Sequence, residues 1–218
     1  DEPAAATAEY LIYFNGARLG WIKNVSQAAR LDDRDVVHER EEFYIQIRRD
    51  LDNSVFETST VSDTWFAPDG ATIRKVESTT SGRQKEHIEV TYAADHAVIT
   101  HTIDKGKPTV AKVSYGDHTV MCESRAWRML KTADRLKAGE ELSFHSVSIS
   151  DHTLVEQIWT VTGRTKRELS DGTTVEGTEV RFVKSGHAGT MLMGDDDHYQ
   201  LYEDAAGFKM ARTTAIPK

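Results

Sequence analysis

Apolar and polar residues alternate with a period of two along nearly the whole chain, and this pattern commits it to β-strands. The clearest case is 36–49, where Phe43, Ile45 and Ile47 fall on one face and Tyr44, Gln46 and Arg48 on the other. Residues 86–92 repeat it through Ile88, Val90 and Tyr92. Further strands are expected at 10–14, 18–26, 54–66, 71–80, 98–103 and 110–115. More follow at 141–149, 154–161, 166–169, 173–183, 189–193, 199–202 and 208–213. Asn15-Gly16 suits a two-residue hairpin, because both central positions of a type I′ turn need positive φ. Asp32-Asp33-Arg34-Asp35, Pro68-Asp69-Gly70, Asp171-Gly172 and Ala206-Gly207 supply later turns.

One segment breaks the alternation. At 124–134, Ala126, Trp127, Leu130 and Ala133 recur at helical spacing. Ser124 suits the N-cap, with Glu123 and Lys131 placed to complement the helix dipole. So many strands cannot lie in one flat sheet. The expected fold is all-β with one short helix. It is a strongly curved antiparallel sheet, either an open barrel or a two-layer sandwich, with the helix covering the concave face or the mouth.

The chain of 218 residues is long enough to bury a core without metal or disulfide. No repeat and no Pro-, Gly- or Ser-rich linker divides it, so residues 9–218 read as a single β domain. Residues 1–8 are small and polar, begin without Met, and read as the disordered mature amino terminus left after an export signal is removed. That implies a periplasmic or secreted location. The single Cys122 forbids an intrachain disulfide. No run reaches the ~18 apolar residues of a spanning helix. A net charge of -8, with Lys and Arg scattered, argues against nucleic acid as a partner.

Several short motifs resemble those of a bacterial exported β domain of unknown function, found alone or ahead of transglutaminase-like cores. The opening hairpin with Tyr10, Tyr13, Phe14, Asn15-Gly16, Gly20 and Trp21 is similar to the start of that group. Trp65-Phe66-Ala67-Pro68-Asp69-Gly70, Leu136-Lys137-Ala138-Gly139-Glu140-Glu141 and Tyr202-Glu203-Asp204-Ala205-Ala206-Gly207 resemble three later pieces. The resemblance implies an open barrel like that of Lol-type lipoprotein carriers, with a helix at its mouth. It implies no catalytic residues, and no Cys-His-Asp core follows.

The chemistry-bearing residues are sparse. Asp195, Asp197 and His198, in the run Gly194-Asp195-Asp196-Asp197-His198, have the oxygen-rich character of a hard-cation loop. They lack the alternate spacing of an EF-hand, and a solvated turn uses the same residues. Histidines 87, 96, 101, 118, 145, 152 and 187 are dispersed, with no HExxH pattern, so a metal site would need three to converge in space. Cys122 lies in the apolar run Val120-Met121-Cys122 and reads as structural rather than nucleophilic. Glu39, Glu41, Glu42, Glu86 and Glu89 would form an acid pair only if strand pairing set them face to face. No G-x-S-x-G, P-loop or G-x-G-x-x-G occurs, so no catalytic residue and no cofactor is expected.

Trp21, Trp65, Trp127, Trp159 and Met129 are the candidate ligand-binding residues, since in an open barrel they would line a concave apolar pocket. In a small, filled barrel the same side chains make the core. Three functions therefore stand. The first is a non-catalytic exported binding module for a lipid, acyl chain or hydrophobic peptide. The second is a structural accessory domain that meets a protein partner in the cell envelope. The third is a hydrolase with a non-sequential acid or histidine site.

Overall fold

The structure is a computed structural model and describes residues 5–49, 53–169, 172–214 and 216. Eight strands come first: β1 (Ala6–Phe14), β2 (Ala17–Leu31), β3 (Arg34–Arg48), β4 (Val55–Phe66), β5 (Thr72–Ser81), β6 (Gln84–Tyr92), β7 (His96–Ile103) and β8 (Thr109–Ser114). The helix α1 (Glu123–Thr132) follows. Six strands complete the chain: β9 (Glu141–Ser148), β10 (Thr153–Glu168), β11 (Thr174–Lys184), β12 (His187–Met193), β13 (Tyr199–Asp204) and β14 (Phe208–Thr213).

All fourteen strands join one antiparallel sheet, ordered β8-β7-β6-β5-β4-β3-β2-β1-β14-β13-β12-β11-β10-β9. Nearly every strand pairs with its neighbours in sequence, as short turns dictate. The exception is β1 with β14, which joins the two ends of the chain at mid-sheet. Both free edges, β8 and β9, therefore flank the middle of the chain. The segment after β8 crosses to β9 and pairs with it through the parallel bridge of Val120 and His145. Met121 N–H donates to the His145 carbonyl at 2.9 Å, and His145 N–H donates to the Thr119 carbonyl at 2.8 Å. Behind this seam Val90, Ala97, Ile99, Val113 and Tyr115 pack with Val147, Ile149 and Leu154. The result is a nearly closed barrel.

The expected turns form. Asn15 and Gly16 have φ of 49° and 82°, and Asp32 and Asp33 have 48° and 62°, so both hairpins carry two consecutive left-handed residues. Several sequence expectations need correction. Residues 6–8, expected to be disordered, belong to β1, where Ala8 is buried. Residues 1–4 of that terminus, Asp171 of the Asp171-Gly172 turn, and Lys218 lie outside the described residues. The separate strands expected at 154–161 and 166–169 are one strand, β10. Gly163, at φ 114°, sits in a bulge that absorbs an extra residue while pairing to β11 continues. The helix begins at Glu123 rather than after Ser124. Its N-cap is Cys122, whose side chain makes no capping bond.

Two turns hold α1 at the barrel mouth, one from each half of the sheet. From the β4–β5 turn, the Asp69 carboxylate pairs with Arg125 at 2.9 Å and the Pro68 carbonyl accepts from Arg128 at 3.3 Å. The Cys122 thiol donates to the Gly70 carbonyl at 3.3 Å. From the β12–β13 turn, Asp197 accepts from Trp127 Nε1 at 2.9 Å and from Lys131 at 2.6 Å. The inner face of α1, Ala126, Trp127 and Leu130, is sealed against Phe144, Trp159, Val161, Val180, Met191 and Met193.

Gly20 on β2 lies against the β3 backbone with no room for a side chain. A Cβ there would stand 1.8 Å from the Tyr44 carbonyl oxygen, and the clash is with backbone, which cannot step aside. Gly20→Ala is expected to destabilise the fold by about 1–3 kcal/mol, the usual cost of overpacking. A lowered urea midpoint with an unchanged slope would bear this out, and wild-type stability would refute the packing described.

Candidate functional site

The inward face of the sheet has two characters. On β9 to β12 it is apolar and covered by α1. On β2 to β5 it is polar. Asn24 lies opposite Glu41, Glu41 opposite Ser62, and Ser62 opposite Glu77, making one row across four strands. Ser26, Glu39, Thr64 and Lys75 make the next row. Residues directly opposite each other share a face, so these rows point together into the barrel. The same alternation places Ile22 and Phe43 on that face.

Within the rows, the Asn24 amide donates to Glu41 Oε2 at 3.2 Å, and Lys75 pairs with Glu77 at 2.9 Å. The Glu39 carboxylate makes no hydrogen bond or ion pair among the described residues. Burial, aided by the neighbouring Glu41 charge, pushes its carboxyl up to about 7, against the pull of Lys75 and Arg128. Burial also raises Glu41, again opposed by Lys75 and by the Asn24 hydrogen bond.

Two cavities open on this interior. The larger, about 850 Å³, lies between the β5–β7 arm and the β9–β11 arm. Ile88, Val147, Ile149, Val155, Phe182 and Tyr202 form its apolar lining, and Lys75, Glu77, Glu86, Asp151, Lys184 and Asp204 its charged lining. The smaller, about 270 Å³, lies under α1 and includes Tyr10, Asn24, Glu39, Glu123, Trp127 and Tyr199. Lys184, on the first cavity, pairs with Glu123, on the second, at 3.1 Å. Glu123 also accepts from the Tyr199 hydroxyl at 2.9 Å. An ion pair thus links the linings of the two spaces. A third space of about 430 Å³ at the seam is bordered by Arg34, Tyr92, Tyr115, His118, Cys122 and Arg125.

The aromatic and methionine candidates do not converge on a cavity. Trp21 stacks on Tyr44, their centroids 6.0 Å apart, on the outer face. Trp65 also faces outward, against His38 at 5.0 Å and under the Arg74 guanidinium at 5.5 Å. The period of two explains both: each sits one residue from an inward position, Ile22 and Thr64. Met129 is 44% exposed on α1. Only Trp127 and Trp159 come together, sealed in the core beneath the helix. Trp127 alone borders a sizeable cavity.

The Asp tract does not assemble a cation site either, because each carboxylate already serves a different cation. Asp195 takes a bidentate pair from Arg164 at 2.8 and 3.0 Å. Asp196 pairs with Arg212, and Asp197 with Lys131. His198, its charged form disfavoured by burial, stands apart from a shared centre. No group of three or more His, Cys, Asp or Glu side chains fit to hold a metal exists among the described residues. The tract ties α1, through Trp127 and Lys131, to β10 and β14, through Arg164 and Arg212.

Of the carboxylates raised from sequence, Glu39, Glu41 and Glu86 face inward. Glu42 and Glu89 face outward and pair with Arg40 and Arg74. Glu77 and Lys75, with no motif to signal them, complete the polar rows. The signal was present in the alternation itself, since Glu39 and Glu41 occupy the same parity as Phe43 and Ile45. Cys122 is half-buried rather than sealed, and His118, four residues upstream, meets His145 across the seam with ring centroids 4.1 Å apart.

No protein-family model matches the chain, and no curated protein matches it. A solved structure does: the β-barrel-like protein of a domain of unknown function, DUF1849, from Brucella abortus. The likeness has a TM-score of 0.65 at 10% sequence identity and covers 97% of this chain and 96% of that one. At that identity it supports the barrel-like fold, and the chemistry of the interior rests on this chain's own residues.

The raised Glu39 carboxyl has a thermodynamic consequence. It keeps its proton more tightly folded than unfolded, so its stabilising effect is complete below the ordinary glutamate range and is lost as pH rises through about 7. Glu39→Gln removes that loss. The variant should match the parent in urea titrations at pH 4 and exceed it at pH 8, by up to about 3 kcal/mol. An unchanged difference between the two pH values would show that Glu39 titrates normally.

Proposed function

We propose that this domain is a non-catalytic binding module that holds an elongated amphipathic molecule, an acyl chain or a hydrophobic peptide with a polar end, in the larger barrel cavity. The observation that carries the reading is the two-sided lining of that 850 Å³ space. Ile88, Val147, Ile149, Val155 and Phe182 offer contact to an apolar stem, while Glu77, Glu86, Lys75 and Lys184 offer partners to a polar end. Ligand pockets of this size are typically mostly apolar with a few placed polar groups. The apolar ligand expected from sequence is kept, but its walls are different residues, and the charged side demands a polar group on the ligand. A periplasmic or secreted location belongs to the same proposal, and cell fractionation tests it.

A fluorescent acyl probe such as a dansyl-labelled fatty acid reads the cavity directly. Val155→Trp, which fills the space from β10 and lies outside the packed apolar clusters, should abolish probe fluorescence while leaving the thermal midpoint within a few degrees. Native mass spectrometry should find an acyl or peptide adduct on the parent and none on the variant. Undiminished probe binding by the filled variant, or a parent that neither binds probe nor carries an adduct, would overturn the reading.

A further inference from the structure

We propose that the smaller cavity beneath α1 is a second binding site, specific for a small molecule bearing a primary ammonium group, with Glu39 as its anion. Three observations converge. The cavity, about 270 Å³, is large enough for a compact organic molecule and too small for the elongated ligand of the main chamber. Of the four carboxylates around it, three are already engaged: Glu123 with Lys184 and Tyr199, Asp196 with Arg212, and Asp197 with Lys131 and Trp127. Glu39 alone borders the space without a partner among the described residues.

A buried carboxylate with no donor is costly, and a ligand that supplies one gains what the apo protein lacks. The rest of the lining fits an ammonium. Asn24 and Ser26 offer acceptors beside Glu39, and the rings of Tyr10, Trp127 and Tyr199 border the space, as favours a cation near aromatic faces. An anion would meet an excess of carboxylates. A divalent metal would find one free carboxylate where it needs several oxygen ligands. Two internal cations compete for Glu39: Lys75, which is held by Glu77 at 2.9 Å, and Arg128, which borders the cavity but whose guanidinium donates to the Pro68 carbonyl at 3.3 Å.

Binding is tied to ionisation of Glu39. The charged or titratable groups around that carboxyl are Glu41 on β3, Lys75 on β5, Glu123 and Arg128 on α1, Tyr10 on β1, Tyr199 on β13, and Asp196, Asp197 and His198 of the β12–β13 turn. Across pH 6 to 8 an alkylammonium stays protonated, whereas Glu39, poised at about 7, passes from mostly neutral to mostly charged. Affinity should therefore rise about tenfold over that interval.

The test uses n-butylammonium, with n-butanol as its uncharged counterpart, followed by NMR on the whole chain with labelled tyrosine and tryptophan rings and carboxyl-labelled glutamate. The expected result is saturable shifts at Tyr10, Trp127 and Tyr199 with butylammonium. Butanol, and butylammonium on Glu39→Gln, should bind about tenfold or more weakly. Saturation should also lower the Glu39 carboxyl pKa, a readout that needs no variant. The proposal fails if butanol binds as well as butylammonium or if Glu39→Gln binds undiminished. It also fails if the Glu39 carboxyl titrates in the ordinary range because Arg128 has swung across to it, or if no shift appears around the cavity. Loss of butylammonium binding with intact acyl-probe binding would locate the two ligands in separate chambers; the acyl probe failing alone would count against the main-cavity reading and leave this one standing.

Discussion

The fold depends on how one long antiparallel ladder disposes of its two edges. Sequential hairpins build the sheet cheaply, because each strand finds its neighbour after a short turn. The one pairing that needs the whole chain is β1 with β14, which brings the ends together at mid-sheet. This moves both exposed edges, β8 and β9, to the middle of the sequence. Exposed edges invite association with other chains. The crossing segment answers by pairing with β9 at Val120 and by burying an apolar patch drawn from both arms.

Closure at the chain's midpoint also explains the helix. The segment that crosses from β8 to β9 is long enough to hold α1, and the turns at 68–70 and 195–197 grip it from opposite halves of the sheet. One side of α1 completes the apolar core, whereas its amino-terminal end reaches the polar rows of β2 and β3 through Glu123, Ser124 and Arg128. The helix is therefore both a plug for one chamber wall and the roof of the smaller cavity.

The interior charges set this barrel apart from one filled only with apolar side chains. Two rows of polar residues cost desolvation free energy, and two pairs within them are compensated, Glu77 by Lys75 and Glu41 by Asn24; on α1, Glu123 is met by Lys184 and Tyr199. Ser62, buried with no partner for its hydroxyl among the described residues, and the Glu39 carboxylate stand without such compensation. Retaining such groups inside a fold that could have been packed with aliphatic residues is what favours a binding role over a scaffold one.

The sequence by itself determined the strands, most of their turns, the helix and the necessity of strong curvature, because period-two alternation and turn chemistry are local properties. It also carried the parity of the inward residues wherever no bulge interrupts the strand, Glu39 and Glu41 included. It could not say which arm of the sheet would face which. Counting Trp21 and Trp65 as pocket residues followed from their type, while one step of register turned both outward. The run 195–198 likewise looked like a cation loop, until tertiary packing supplied Arg164, Arg212 and Lys131 from distant elements to consume its charges. Tertiary structure alone decided these outcomes, because charge pairing and cavity shape depend on contacts between residues far apart in the chain, and the alternation that fixes each side chain's face says nothing of what stands opposite.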